Sequence, residues 1–410
     1  MAASLRFHDA VCRVLTHPGP PPDATIYRPP MPPPDGPMVA RWGTSHPSAP
    51  LVVALHGNGT SEHSMIEIAP WLPHGPVAYV AVRGPITGDS GFHWYTATDG
   101  RPDPASLATG TAWFLEWLDD EGDPDRPVLL VGFREGVTFA GALMLTEPHR
   151  WAGAMLLYGA LPFDAGVPMA RGQLAGMPVF LAHGTDDTRT PSRLQARTWA
   201  WLTKESGAPL WAERAAGGDQ LAGKVVGDVG TWLADRLDHL RAHGENPVPD
   251  GADAPWPTVP GGRLPVRAGP PPEVTAGIPQ HQETQNAPAE LQERLWARLA
   301  QLPEVTTGPT RVGVEGTRAL LLDRGAAAGP DAAYVLPDDG EFAHQHPDGS
   351  LHVVLPDAQA YDALAKGWAV AHPLAGVRVS PGMVLVYGPR DEAEVEIVAG
   401  IAAASHRYAR

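Results

Sequence analysis

The sequence predicts an α/β fold: a mostly parallel, doubly wound sheet over residues 1–243, a linker over 244–288 and a small α+β domain over 289–410. Three observations lead there. Up to residue 243, apolar runs of strand length alternate with segments of helical periodicity, the pattern of parallel strands joined by crossing helices. Between 244 and 288 both periodicities stop and eleven prolines crowd in. Beyond 289 short strand-like runs return among helical stretches, and 410 residues exceed one ordinary core.

In chain order, a proline-heavy entrance over 17–50 ends in MVARWG, which alternates as a short edge strand does. LVVALHGNG (51–59) and VAYVAVRG (77–84) are continuous apolar runs, as suits strands covered on both faces. Between them SEHSMIEIAPWL reads as a helix with Ser61 as its cap. A helix over 104–118 precedes the stretch Pro127 to Leu145, itself a buried strand, a sharp turn and a helix. Strands at WAGAMLLYG, MPVFLAHG and LWAERA alternate with helices at SRLQARTWAWLTKES and LAGKVVGDVGTWLADRLDHL. The linker is semi-extended, or lies along the surface anchored by Trp256 and Ile278. In the last domain, AELQERLWARLAQL, PDAQAYDALAKGW and RDEAEVEIVAGIAAASHRYA read as helices. TRVGVEG and RALLLD read as strands paired around Gly316, with further strands at DAAYVL, FAHQHPDGSLHVVLP and MVLVYG.

Composition narrows the partners. A net charge of −16, from 46 acidic and 30 basic side chains, repels phosphate backbones and anionic lipid, so neither nucleic acid nor membrane is expected. Cys12 is the only cysteine, which excludes an intrachain disulfide and suits a reducing cytoplasm. No apolar leader opens the chain and no run approaches the roughly 20 residues that span a bilayer, so a soluble cytoplasmic protein is expected. The excess of Gly, Pro and Arg over Lys reads as the bias of a GC-rich, bacterial genome.

At the sharp turn the residues are Gly132-Phe133-Arg134-Glu135-Gly136. Further along stand His56-Gly57-Asn58-Gly59, Arg83-Gly84-Pro85, Phe92-His93-Trp94-Tyr95, His183-Gly184-Thr185-Asp186-Asp187 with Thr190-Pro191, and Gly217-Gly218-Asp219. In this order they resemble the phospholipase/carboxylesterase branch of the α/β-hydrolase superfamily over roughly 45–240. The resemblance implies a nucleophile elbow at 132–136, an oxyanion-hole amide near Gly57 and a triad acid at Asp187. Two triad positions depart from the pattern: the elbow serine is Arg134 and the histidine is Asp219. A guanidinium offers no lone pair and a carboxylate does not replace imidazole as the base, so no catalytic triad is assigned and ordinary ester hydrolysis is not expected.

What remains is a cation opposite Asp219 and Asp187. One reading is a structural salt bridge in a non-hydrolytic binding or scaffolding protein. A second is a pocket of His56, Gly57, Asn58, Trp94, Arg134 and Glu135 that holds an anionic small molecule; a protein partner is the further option. A third is relocated catalysis, with Glu135 or His93 as acid or base, or with chemistry at a second site.

That second site lies in His344-Gln345-His346-Pro347-Asp348-Gly349-Ser350-Leu351-His352. With Gly367-Trp368, His372-Pro373-Leu374-Ala375 and Gly388-Pro389-Arg390-Asp391-Glu392, it resembles a domain family of unknown function, DUF5519, labelled luciferase-like, over roughly 290–408. The label implies no mechanism. His344 and His346 share a strand face. A type I turn with a bulge at Pro347-Asp348-Gly349 puts His344 opposite His352 and all three imidazoles on one side; a two-residue Asp348-Gly349 turn sends His352 to the other. No cofactor is assigned. A divalent metal at His344, His346 and His352, with Glu341 nearby, is the alternative to a merely polar strand face.

Overall fold

A computed structural model describes residues 36–245, 253–323 and 325–410. Cys12 and most of the proline-heavy entrance lie outside the described residues, as does 246–252 of the linker.

The first sheet has seven strands: β1 (Val39–Gly43), β2 (Leu51–Leu55), β3 (Ala78–Val82), β8 (Val128–Phe133), β9 (Gly153–Leu157), β10 (Val179–Gly184) and β11 (Leu210–Ala215). Two short ribbons, β4 (Ile86–Gly88) with β5 (Gly91–His93) and β6 (Ala97–Thr98) with β7 (Arg101–Pro102), fill the crossover after β3. The strand order is β1-β3-β2-β8-β9-β10-β11, parallel throughout except for β1, which pairs antiparallel with β3 at the edge. Every residue of β2 and β3 is buried because helices cover both faces. Leu51, Val53 and Leu55 pack with α2 (Pro104–Asp119), α3 (Glu135–Thr146) and α4 (Ser192–Lys204). Val52 and Ala54 point the other way, toward α1 (Glu62–Ile66) and α5 (Gly223–His243). Ser61 caps α1 through His63 N–H, but the α-helix lasts five residues before Pro70 starts a 3-10 turn.

The second sheet is antiparallel, in the order β12 (Val305–Pro309), β13 (Arg318–Leu322), β14 (Glu341–Gln345), β15 (Leu351–Val354), β17 (Met383–Val386), β16 (Ala369–Ala371). Its core is closed by α6 (Ala289–Leu299), α7 (Asp357–Ala365) and α8 (Glu392–Ala409). The strand expected at TRVGVEG is absent. Gly313 and Gly316, at φ +91 and +86, make it a loop, and Arg318–Leu322 pairs with Val305–Pro309 instead. DAAYVL likewise forms a 3-10 turn at Asp331–Ala333, with Tyr334 bonded to the Ala409 carbonyl. Asp391 caps α8 by accepting from Glu394 N–H at 2.9 Å, and Arg390 lies on Glu394.

The proline-rich segment does not hang free. Trp256 is fully buried in the second core and donates from Nε1 to Asp362 at 2.6 Å, whereas Ile278 is exposed and anchors nothing. Leu374 and Val377, from the loop after β16, enter the core beneath α5.

Candidate functional site

Strand β8 ends at Phe133 and α3 begins at Glu135, which leaves Arg134 alone at the tip with φ 52 and ψ −117. The flanking glycines permit this turn. A Cβ on Gly136 would sit 2.2 Å from the Leu55 carbonyl oxygen, and one on Gly132 would sit 2.7 Å from that of Gly136. From the tip, Arg134 Nη2 reaches Asp219 Oδ2 at 2.6 Å and also donates to the Asp219 carbonyl at 3.1 Å. Arg189 Nε approaches the same carboxylate at 3.1 Å, so Asp219 serves two cations.

Beside this pair, Asn58 N–H donates to Glu135 Oε2 at 3.0 Å. Gly57 lies just behind, where an added Cβ would meet Arg134 Cβ at 3.3 Å. Arg134, Glu135, Gly57, Asn58 and Asp219 therefore form one charged cluster. Asp187 makes no ion pair with Arg134. It accepts from Arg189 and Thr190 N–H through Oδ1, and its Oδ2 has no partner among the described residues.

His56 and Trp94, expected as pocket residues, stand buried behind the cluster. His56 is fully buried; its Nδ1–H donates to the Gly57 carbonyl at 2.7 Å and its Nε2 accepts from Gly84 N–H at 3.0 Å. Burial pushes its pKa down to about 4, so the ring is neutral with both nitrogens engaged. Trp94 is also fully buried, stacked on Phe139 at 4.5 Å, with its indole donating to the His56 carbonyl at 2.7 Å. Neither ring offers a free atom.

The histidine hairpin has the bulged turn. Gly349, at φ +92, donates to the His346 carbonyl at 2.9 Å, His346 N–H donates to Ser350, and His344 pairs across with His352. The imidazoles of His344, His346 and His352 are all buried, and one ring nitrogen from each lies within 4.8 Å of the others. Burial, with the neighbouring imidazoles adding to it, holds His346 down to about 3 and His352 well below the usual histidine range. Glu341 Oε1 sits 2.6 Å from His344 Nδ1, and Gln280 Oε1 3.1 Å from His352 Nε2. A fourth ring, His372, lies 5.2 Å from His352 and is half-buried. Gln280 had no signal in the sequence, since the segment bearing it has no periodicity.

Residues 42–208 match the phospholipase/carboxylesterase family model, and residues 339–405 match the luciferase domain model. The chain joins a phospholipase/carboxylesterase domain to a luciferase domain. The first domain is similar to acyl-protein thioesterase 1 of Cryptococcus neoformans var. neoformans, 26% identical over 181 residues that cover 40% of this chain and 76% of that protein. A luciferase of Neonothopanus nambi is 32% identical over 162 residues, 35% of this chain and 60% of that protein. Among solved structures, the Bacillus cereus carboxylesterase aligns with 22% identity and a TM-score of 0.41, over 48% of this chain and 93% of that one. Arg134 and its turn lie within the stretch that matches the phospholipase/carboxylesterase model, and the histidine hairpin lies within the stretch that matches the luciferase domain model.

A buried group of the proline-rich segment is Arg267, whose three guanidinium nitrogens have no hydrogen-bond partner among the described residues. Glu394 Oε1 is 4.0 Å away and the Tyr387 ring 5.3 Å. Burial pulls its pKa below the ordinary arginine value.

Proposed function

We propose that the phospholipase/carboxylesterase domain is non-hydrolytic, a pseudoenzyme scaffold within a cytoplasmic protein, and that the chain's binding chemistry resides in the luciferase domain. The observation that carries this reading is the occupation of the elbow by its own charges. Arg134 takes the nucleophile position and lies 2.6 Å from Asp219, while the Asn58 amide is held by Glu135 at 3.0 Å. Acyl transfer needs a hydroxyl or thiol to attack, an imidazole to take its proton and free amides to receive the oxyanion. Here the first two are replaced and an amide of the third kind is engaged.

The test is hydrolysis of short-chain p-nitrophenyl esters and thioesters by the purified chain, with fluorophosphonate labelling alongside. The expected result is the buffer rate and no label. Turnover well above the buffer rate that persists in Arg134→Ala would overturn the reading and require another nucleophile.

A second reading concerns the ligand, and Arg267 favours it. A buried guanidinium without a hydrogen-bonding partner is costly, and an anionic small molecule is the chemistry that would complete it. Inorganic phosphate and citrate, screened by thermal shift, should raise the melting temperature of the wild type and leave Arg267→Met unmoved. Equal shifts in both would remove the anion from the account.

A further inference from the structure

The hydrogen bonds around the histidine hairpin fix where its protons are. Gln280 Nε2 donates to the Ala371 carbonyl at 3.1 Å, so the amide oxygen is the atom that faces His352. That oxygen, 3.1 Å from His352 Nε2, only accepts; His352 must therefore carry its proton on Nε2. At the other end, the Glu341 carboxylate 2.6 Å from His344 Nδ1 draws the proton of His344 to Nδ1. The consequence falls between the two rings. His344 Nε2 and His352 Nδ1 face each other at 3.0 Å, and each presents a lone pair.

Two lone pairs at hydrogen-bond distance repel unless a positive centre lies between or beside them. A third nitrogen completes the arrangement. His346 Nε2 is buried with no hydrogen-bond partner among the described residues, while its Nδ1 is engaged by Ser350 Oγ at 3.0 Å. The three rings stand 4.8 to 5.1 Å apart centre to centre. Three imidazoles, one backed by a carboxylate and another by an amide oxygen, form the donor set that divalent metals of borderline softness take; outer acceptors of this kind orient ligating histidines.

We infer that His344, His346 and His352 bind one such divalent metal ion through His344 Nε2, His346 Nε2 and His352 Nδ1. Glu341 and Gln280 act as positioning residues that hold the ligand tautomers. Metal–nitrogen bonds of about 2.0–2.1 Å set neighbouring donors a little over 3 Å apart, close to the 3.0 Å of the His344–His352 pair, and one ring nitrogen of each of the three histidines lies within 4.8 Å of the others. The inference shares no residue with the elbow and does not depend on whether the first domain hydrolyses esters.

The test is metal content and affinity, with zinc and cobalt(II) as probes on the full chain. Protein made in zinc-supplemented medium and purified without chelator should hold about one equivalent of zinc, and cobalt(II) added to stripped protein should give the visible d–d bands of a histidine-ligated site. His346→Gln should lose both, because it removes a ligand whose Nε2 has no other bond. Should that variant fail to fold, Glu341→Gln decides: it keeps the three ligands and should weaken zinc affinity about 10- to 100-fold in chelator competition. Zinc below about a tenth of an equivalent together with no cobalt bands would overturn the inference, leaving a shared proton to separate the lone pairs. Unchanged affinity in a folded His346→Gln, or in Glu341→Gln, would overturn it equally.

Discussion

Arg134 sits at φ 52, a region that costs a non-glycine residue about 1–3 kcal/mol. Asp219 shares the compensation with two arginines, at 2.6 and 3.1 Å, but the Arg134 and Asp219 side chains remain 23% and 24% exposed. Solvent screening limits what the pair contributes, so Asp219→Asn should lower unfolding free energy by no more than about 1 kcal/mol in urea titrations. A larger loss would mean that the cluster organises the surrounding loops.

His56 makes the stronger residue-level prediction. Glu62 favours its protonated form, Arg83 and His93 oppose it, and burial dominates, so its pKa falls from 6.5 to about 4. Because the folded value lies below the unfolded one, the unfolded chain takes up the extra proton. The stabilisation is complete above pH 6.5 and is lost as pH falls toward 4, amounting to about 3 kcal/mol. Denaturant titrations across that window should show the loss. His56→Gln should be less stable at pH 7 and should flatten this part of the pH profile.

At the scale of elements, the bulged hairpin turn decides whether three imidazoles meet. Gly349 adopts φ +92, and a Cβ there would lie 2.5 Å from Ala287 Cβ and 3.0 Å from Gln292 Cγ. Gly349→Ala should therefore cost about 1–3 kcal/mol in a thermal or urea melt, and more than the same change at the open Gly325. Helices α6 and α8 add a surface contribution through the Arg294–Glu392 and Arg298–Glu396 pairs, which are largely exposed and correspondingly weak.

The same scale separates what was legible in the chain from what was not. Strands β2, β3, β8, β9 and β10 are continuous apolar runs, readable because both faces are covered. Edge strand β12 gives no hydrophobic signal because Thr306 and Thr307 face solvent, while Val312 and Val314 in the neighbouring loop alternate as a strand does. The tight turn between β8 and α3 was legible from Gly132 and Gly136. Glu135 on the Asn58 amide was not, because residues 77 positions apart meet only through the packing of β2 on β8.

For the whole molecule, the decisive contacts join the two halves. Arg236 of α5 is buried; its Nε donates to the Ala152 carbonyl at 2.8 Å and its Nη1 to that of Gly376 at 2.5 Å. Burial lowers its pKa to about 10, which leaves it charged at neutral pH. Arg378 adds a bond to Asp235 at 2.7 Å, and the Leu374 and Val377 side chains fill the space under α5. The sheets should accordingly unfold together in calorimetry. Arg236→Ala leaves two buried carbonyls without this donor and should cost about 3 kcal/mol, splitting the single transition into two. A single transition at an unchanged temperature would show that the apolar contacts couple the halves by themselves.

Local periodicity and turn chemistry in the sequence determined the alternation of strands and helices, the tight turn at Gly132–Gly136 with Arg134 at its tip, and a hairpin with two admissible registers. Tertiary structure alone chose between those registers, brought Gln280 from the proline-rich segment onto His352, laid Glu135 on the Asn58 amide and buried Trp94 against Phe139. The physical reason is range. A strand, a cap or a tight turn is fixed by neighbours within a few residues, whereas the proton positions of a histidine cluster depend on acceptors that only the packed chain delivers.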